Sequence, residues 1–187
     1  MASEITIKDG YRDELIGNIT ALHSRIYSDI AGFGAFFEAL VATNYANFIN
    51  RLEHPDNATW YADCGGEIVG GISIDGQDLK AGQAHLRWFI VSDNVQSKGV
   101  GRKLLKKALD FSDQREFKEI HLWTFKGLEA ARKLYEDHGF VLVEEQHGTQ
   151  YGTRVLEQRF VRLYPCCISV NFLTMVRPKP TPSWERV

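Results

Sequence analysis

The sequence predicts a mixed α/β fold in which helices cover both faces of a mostly antiparallel sheet of six or seven strands. Apolar patterns follow the order strand, two helices, three strands, helix, strand, helix and two strands. A Gly-Gly pair at residues 65 and 66 separates two β-type runs, as in a tight hairpin. Between residues 85 and 125 a helical pattern separates two strands, which predicts a parallel pair with a right-handed crossover at the centre of the sheet.

The first half of the chain begins with alternating apolar and polar residues, which indicate a short strand. Two stretches with apolar residues at helical spacing follow, and then the two strands of the hairpin. The expected ranges are a strand over 4–8, helices over 13–27 and 35–52, and strands over 58–63 and 67–74.

The second half begins with a run rich in aromatic and β-branched residues, which is typical of a largely buried strand. Gly139 follows a short helical pattern and is expected to close that helix as a C-cap glycine. The expected ranges are a strand over 85–91, a helix from 101, a strand over 118–125, a helix over 128–138, and strands over 140–144 and 151–163.

The length of 187 residues suits one domain, which we assign to residues 1–162. Residues 163–187 form a C-terminal extension in which prolines surround an apolar run at 168–176. Two interpretations are open for this extension: a further strand lying on the domain or on a partner subunit, or a disordered tail. The apolar run makes a homodimer plausible.

Composition excludes several classes of function. The 22 basic and 24 acidic residues give a formal charge of −2, which argues against a general binder of nucleic acid or of a membrane surface. The three cysteines have neither the number nor the spacing of a disulfide framework or a metal site. The chain has no signal-peptide pattern and no apolar stretch long enough to span a bilayer, so we expect a cytoplasmic protein without a metal.

The turn between the strand at 85–91 and the helix that follows has the character of a phosphate cradle. Glycines let a ligand approach the backbone, and a helix start offers unpaired N–H groups and a partial positive charge. The apolar face of the helix is flanked by cations without an intervening acid: Lys98, Arg102, Lys103, Lys106 and Lys107. The residues expected to hold the phosphates are Gln96, Ser97, Lys98, Gly99, Val100, Gly101 and Arg102.

Two common phosphate loops do not match this turn. A dinucleotide fingerprint requires glycine where Leu104 stands, and a Walker loop requires Gly-Lys-Ser/Thr at its end, so a nucleotide binder of either kind is disfavoured. The turn instead resembles Q/R-x-x-G-x-G/A, the coenzyme A pyrophosphate motif of the GCN5-related N-acetyltransferase (GNAT) family. The order of elements over residues 4–162 resembles the same family, which implies the acyl-CoA N-acyltransferase fold and acetyl-CoA as cosubstrate.

A second motif strengthens the resemblance. The segment from Ala131 to Phe140 is similar to A-x-x-L-Y-E-x-x-G-F of the same family and follows the turn at the expected distance. The resemblance implies that Tyr135 donates a proton to the departing coenzyme A thiolate, for which a phenol within hydrogen-bond reach is chemically suited. The alternative is that Tyr135 is a packed aromatic residue. Many relatives have asparagine where this chain has Leu128, so one hydrogen bond is either missing or supplied by Thr124.

The resemblance also assigns roles on the strand at 85–91. Strand alternation predicts His85, Arg87, Phe89 and Val91 on one face of the sheet, opposite Leu86, Trp88 and Ile90. In relatives this strand splays from its neighbour, and the backbone at positions matching Phe89 and Val91 binds pantetheine. His85 stands where histone-type relatives have a general-base glutamate, and an imidazole can take a proton from an ammonium group. A purely structural His85 is the alternative.

The acceptor site is expected around Tyr27, Arg87 and Glu144. Arg87 either binds a substrate carboxylate or pairs with Glu144 or Glu145 across the sheet. Glu144, Glu145 and His147 are alternative bases or amine binders, and ordinary surface charge is the competing interpretation. His23, Tyr27 and Phe33 fall where the family forms its acceptor pocket. Core packing is the competing explanation, and for Phe33 the better one.

A finer resemblance links this chain to the acetyltransferase domains associated with MarR-type transcription regulators. It depends on His23-x-x-x-Tyr27, Trp123-Thr124 and Tyr151-Gly152. Together the resemblances imply an N-acetyltransferase that moves an acetyl group to an amine of a small molecule or protein by direct attack. The alternative is a catalytically weak domain of the same fold that senses coenzyme A or mediates an interaction.

Overall fold

Seven strands form one sheet in the order β1-β2-β3-β4-β5-β7-β6 in a computed structural model of the chain. The structure describes residues 4–95 and 98–164, so the expectations for Gln96, Ser97 and residues 165–187 lie outside it. The strands are β1 (Ile5–Asp9), β2 (Asn57–Cys64), β3 (Glu67–Asp75), β4 (Gln83–Val91), β5 (Glu119–Phe125), β6 (Val141–Gly148) and β7 (Val155–Leu163).

Four α-helices accompany the sheet in the described residues: α1 (Leu15–Ala31), α2 (Ala35–Ile49), α3 (Val100–Gln114) and α4 (Glu129–Asp137). Helix α1 runs past its expected end at Tyr27, because Gly32, with φ of 67°, is the first residue to adopt the left-handed conformation of a C-cap. Gly139, with φ of 85°, follows α4 as the sequence predicts.

The central strand pair is parallel and short. Strands β4 and β5 pair only from Gln83 with Glu119 to His85 with His121, whereas every other neighbouring pair in the sheet is antiparallel. This confirms the predicted parallel unit. Beyond His85 and His121 the two strands separate, so the middle of the sheet has an opening.

Each face of the sheet carries its own hydrophobic core. Helices α3 and α4 cover one face, where the stripe on α3 that includes Leu104, Leu105 and Ala108 is fully buried. Helices α1 and α2 cover the other face, where Tyr45 and Phe48 pack against Trp88. Helices therefore lie on both faces, as expected.

Strand β4 changes faces at a β-bulge. Trp88 has a positive φ of 49°, and the register with β3 shifts between Gly71 and Ser73. A bulge adds one residue to a strand and reverses the alternation beyond it. Trp88 and Ile90 consequently pack with the core under α1 and α2, while Ala84 and Leu86 belong to the core under α3 and α4.

The predicted alternation along β4 is therefore wrong beyond Arg87. Phe89 and Val91 pack against the core under α3 and α4, not on the face of His85 and Arg87. On the side of α1 and α2, strand β4 therefore presents the polar His85 and Arg87 before the bulge and the apolar Trp88 and Ile90 from the bulge onward. In the described residues, no helix has both the length and the apolar character needed to cross a membrane.

Candidate active site

A cleft of about 490 Å³ opens where β4 and β5 separate. It is lined from both sides of the sheet, by α1 and α2 on one side and by Tyr135 of α4 on the other. Eight of the side chains given a possible site role from the sequence meet there: His23, Tyr27, Phe33, His85, Arg87, Phe89, Thr124 and Tyr135.

Tyr135 lies at the end of the cleft nearest α3. Helix α4 packs it between Phe89, Phe140 and Phe160, with ring centroids 5.9 to 6.0 Å from that of Tyr135. Burial raises the pKa of its phenol well above the usual value, so the hydroxyl keeps its proton at neutral pH. Within residues 4–95 and 98–164 this hydroxyl has no hydrogen-bond partner, which leaves its proton available to a molecule in the cleft.

His85 is held by Asp78, a residue of the turn that joins β3 to β4. The Nδ1 atom of His85 lies 2.6 Å from an Asp78 carboxylate oxygen, and the ring meets Trp123 edge to face at 4.6 Å. A carboxylate accepts hydrogen bonds, so Nδ1 carries the proton and Nε2 keeps its lone pair. Burial lowers the pKa of His85, which leaves the imidazole neutral and able to accept a proton.

Arg87 lines the cleft and belongs to an ionic cluster that extends behind it to Arg51 and the buried Asp75. Asp75 is fully buried, and its two carboxylate oxygens accept hydrogen bonds of 2.7 and 2.5 Å from Arg51. Arg87 lies 3.6 Å from Asp75 and 3.4 Å from Asp78, and its guanidinium stacks over the Trp88 ring at 4.2 Å. Both arginines therefore contact acids of the β3–β4 hairpin. Because Asp78 also bonds to His85, this hairpin fixes the positions of His85 and Arg87.

The opposite wall is aromatic and comes from three separate parts of the chain. The ring centroids of Tyr27 and Phe125 are 5.4 Å apart, and those of Phe33 and Tyr151 are 5.5 Å apart. Phe37 closes the group, 4.8 Å from Phe33. Burial raises the pKa of Tyr27 to about 12 and also raises that of Tyr151, so both phenols stay neutral. Phe33 is 2% exposed, so it serves as core and as cleft wall at once.

The glycine turn follows β4 and precedes α3. Gly99 has φ of 74°, a left-handed conformation that a side chain would disfavour, and it leaves the start of α3 without a side-chain cap. Lys98, Arg102 and Lys103 are exposed around it and make no ion pair within the described part of the chain. The N–H groups of a helix start, together with cations that have no ion pair among the described residues, fit a phosphate chain well.

The side-chain position of Gly101 faces strand β4 and helix α4. A Cβ atom there would point at Phe89, Leu134 and Val91, 3.5 to 3.7 Å away, and not at the turn. Gly101 therefore lies against the last residues of β4 and links the turn to the end of the cleft where Phe89 meets Tyr135. Val100 is buried and anchors the start of the helix in the core.

Glu144 does not belong to this site. It lies on β6, forms an ion pair of 3.0 Å with Arg159 of β7 and does not line the cleft. Glu145 accepts a hydrogen bond from Gln158, so neither glutamate pairs with Arg87. The expectation of a cross-sheet pair is wrong because β5 and β7 lie between β4 and β6.

Sequence reasoning missed several cleft residues, among them Phe37, Asp78 and Phe125, and it used Tyr151 only as a point of resemblance. Asp78 was overlooked because it lies in a polar turn, although the β3–β4 hairpin pairs Asp75 with His85 and so returns this turn to His85. Phe125 ends β5 and was assigned only to a strand. Tyr151 lies in the β6–β7 connection and lines the cleft.

The described residues contain no group of three His, Cys, Asp or Glu side chains that could hold a metal.

Comparison with known proteins supplies independent information. A family model described as acetyltransferase (GNAT) family matches residues 20–140. The chain is 32% identical over 125 residues to an N-acetylaspartate synthetase of Xenopus tropicalis, covering 64% of this chain and 46% of that protein. It is 33% identical over 84 residues to N-acetyltransferase family 8 member 3 of Rattus norvegicus, covering 43% of this chain and 37% of that protein. The chain thus spans less than half the length of each of these relatives.

The fold has close counterparts among solved structures. A Salmonella typhimurium protein, described as an acetyltransferase with its cofactor acetyl-CoA, superposes with a TM-score of 0.69 over 96% of this chain and 98% of its own. Its sequence identity is 15%, so the likeness extends to the fold alone.

Proposed function

The chain belongs to the acetyltransferase (GNAT) family, and we propose that it is an acetyl-CoA-dependent N-acetyltransferase that transfers the acetyl group directly to an amine. The observation that carries this proposal is the cleft between β4 and β5. The Tyr135 phenol at one end has no hydrogen-bond partner in the part of the chain that the structure describes, and a neutral imidazole of His85 lies in the wall. An acid and a base on one opening are what aminolysis of a thioester requires.

The cofactor site is proposed at the start of α3. Lys98, Gly99, Val100, Gly101 and Arg102, together with Gln96 and Ser97 outside the described residues, would hold the pyrophosphate of acetyl-CoA. The fit is supported by the left-handed Gly99, the uncapped helix start and the unpaired cations around it. The backbone of Phe89 and Val91 would bind the pantetheine arm, because these residues connect the turn to Tyr135 along a strand edge that β5 leaves unpaired.

His85 and Tyr135 have complementary roles in this proposal. His85, oriented by Asp78, takes a proton from the acceptor ammonium group, and the neutral amine then attacks the thioester carbonyl carbon. Tyr135 gives its proton to the sulfur as the C–S bond breaks. Without a proton donor, the negative charge of the released thiolate would stay uncompensated in the buried cleft. A protonated phenol contributes most in such a place.

The alternative is a weak or inactive domain that senses coenzyme A. Leu128 favours it, because a leucine side chain at the start of α4 cannot supply the hydrogen bond that asparagine gives in relatives. Thr124 lines the cleft, and its hydroxyl is the one closest to Leu128 along the chain that could supply this hydrogen bond instead. The likeness to domains associated with MarR-type regulators, a homodimer, a cytoplasmic location and the role of residues 163–187 stay predictions.

Thermal unfolding with ligands tests the cofactor site, since a ligand that binds only the folded state raises its stability. We expect acetyl-CoA and coenzyme A to raise Tm, and NADH and ATP at the same concentration to leave it unchanged. Thiol release with a panel of amines then separates the two functions. Binding of both coenzyme A species without acetylation of any amine would favour the sensing domain, and no Tm shift would contradict both.

A further inference from the structure

Arg87 has hydrogen-bonding capacity that its neighbours do not use. Both oxygens of Asp75 accept short hydrogen bonds from Arg51, and the Asp78 oxygen nearest Arg87 already bonds to His85 at 2.6 Å. The contacts of Arg87 with these acids are 3.4 and 3.6 Å long, beyond the usual range of about 2.7 to 3.2 Å for an N–H···O hydrogen bond. The guanidinium therefore makes no hydrogen bond within the described residues, although its side chain lines the cleft.

A carboxylate is the group that best satisfies these donors. The Arg87 side chain is 19% exposed, so its N–H groups lie in a partly enclosed position where a charge-assisted hydrogen bond is stronger than in open water. The guanidinium fork matches the two oxygens of a carboxylate, which adds directional specificity.

Charge balance in the cluster supports an anionic group beside an amine. The charged groups that face one another here are Asp75, Asp78, Arg51 and Arg87, which cancel as long as His85 is neutral. When His85 takes the proton of an acceptor ammonium group, the cluster gains one positive charge. A carboxylate on the same acceptor would compensate that charge within the cleft. The Asp78 oxygen contacts both His85 and Arg87, so the two side chains are neighbours.

The rest of the acceptor must match the aromatic wall. Tyr27, Phe33, Phe37, Phe125 and Tyr151 present rings and two neutral phenols, and no unpaired charged side chain lies among them in the described residues. An apolar side chain gains free energy on this wall, and an aromatic one also gains ring contacts. A charged side chain would be desolvated there without a partner.

We propose that the acceptor is an α-amino acid with a large apolar, preferably aromatic, side chain, whose carboxylate binds Arg87 and whose amine faces His85. This inference rests on the proposed function and names its substrate class. The ammonium group loses one proton to His85, the nitrogen forms the C–N bond, and the C–S bond breaks. Tyr135 protonates the departing sulfur, which gives coenzyme A. The nitrogen then loses a second proton, which returns Tyr135 to its neutral form, and the product is the N-acetyl amino acid.

Two comparison compounds separate the contribution of the acceptor's carboxylate from that of its ring. Phenethylamine is phenylalanine without its carboxylate, and L-aspartate keeps the carboxylate but replaces the ring by a charge. With thiol release as the assay, we expect kcat/KM for L-phenylalanine to exceed that for either compound by roughly ten- to a hundredfold. Equal values for L-phenylalanine and phenethylamine, a preference for L-aspartate, or no reaction with L-phenylalanine would each overturn the proposal.

A substitution assigns the preference to its residue. Arg87→Gln should reduce the ratio of kcat/KM for L-phenylalanine over phenethylamine to within about threefold of one. Arg159→Gln is the matched control, because Arg159 is also an arginine in a strand but pairs with Glu144 and does not line the cleft; it should keep the wild-type ratio. An Arg87→Gln enzyme that keeps the wild-type ratio would refute the assignment.

The failure of this inference is distinguishable from failure of the proposed function. The Tm shift with coenzyme A does not depend on the acceptor, so a protein that binds coenzyme A and acetylates amines lacking a carboxylate retains the proposed function and loses only this substrate class. The same Tm shift, measured for Arg87→Gln, shows that the variant is folded.

Discussion

The Nδ1 atom of His85 lies 2.6 Å from the Asp78 carboxylate, and this hydrogen bond joins strand β4 to the turn that precedes it. The contact fixes both the orientation of the imidazole and its tautomer, since a carboxylate can only accept the hydrogen bond. It also opposes the effect of burial, which lowers the pKa of His85. A base in this position is neutral at physiological pH yet stabilised when it becomes protonated.

Asp78→Asn should change the pH dependence of catalysis. Without the carboxylate, the pKa of His85 falls further, so the acid limb of kcat/KM should move to lower pH. The maximal rate should fall about tenfold or more, because a weaker base removes the ammonium proton less effectively. Asp56→Asn, which loses an ion pair with Arg115 at the surface, is the control and should leave the profile unchanged. A wild-type profile for Asp78→Asn would remove Asp78 as the positioning residue.

Tyr135→Phe should lower kcat by about a hundredfold or more, because proton donation to the leaving group is lost. Affinity for coenzyme A, measured by the Tm shift, should stay the same. Tyr45→Phe provides a matched control: that buried hydroxyl bonds to Thr59 at 3.1 Å and does not line the cleft, so its loss should cost about 1 kcal/mol of stability with kcat unchanged. Wild-type turnover by Tyr135→Phe would assign the proton to another donor.

Gly99→Ala should destabilise the protein and weaken coenzyme A binding. The φ of 74° at Gly99 costs an alanine about 1 kcal/mol, and relaxation of the turn would move the N–H groups at the start of α3. Gly17→Ala is the opposite case, since Gly17 lies in α1 with open space around it and alanine there should stabilise by about 1 kcal/mol. Thermal unfolding with and without coenzyme A measures both, and unaltered coenzyme A affinity in Gly99→Ala would show that the turn does not hold the phosphates.

His23 should make the protein sensitive to acid. Its Nδ1–H donates to the Ile19 carbonyl oxygen at 2.8 Å, and burial lowers its pKa to about 4. The unfolded chain, with a pKa near 6.5, binds the proton more tightly, so stability falls as pH drops from about 6.5 to 4. His23 should account for about 2 kcal/mol of lost stability between pH 7 and pH 5.

Denaturant unfolding of His23→Gln at both pH values measures this contribution. The pKa values of His85 and His121 are also lowered by burial, so wild type and variant must be compared directly. His147→Gln, at an exposed position of β6, should keep the wild-type difference. If His23→Gln keeps it as well, the acid sensitivity belongs to other groups.

Local patterns predicted much of this architecture. The stripe on α3 and the motif around Tyr135 depend on residues close together in the chain, whose helical spacing is visible in the sequence. The bulge at Trp88 was not predictable, because this tryptophan keeps its positive φ through packing against Tyr45 and Phe48 of helix α2, which are distant in the sequence. Without the bulge, strict alternation placed Phe89 and Val91 on the wrong face.

The polar contacts of the cleft were harder to predict for a related reason. The partner of His85 depends on how the turn between β3 and β4 folds back, and the position of Glu144 depends on the strand order, in which β7 separates β6 from β5. Both are properties of tertiary structure, so a residue-type argument could name Arg87 and Glu144 as partners although the sheet keeps them apart.

The bulge in β4 divides one strand into two parts that can evolve separately. His85 and Arg87, before Trp88, face the proposed acceptor side, whereas Phe89 and Val91, after it, face the helix that is proposed to hold the coenzyme. Substitutions at His85 or Arg87 could thus alter which amine is chosen without disturbing the coenzyme side of the strand. A single backbone irregularity would in this way let descendants of one ancestral protein acquire new acceptors while inheriting the same acetyl donor.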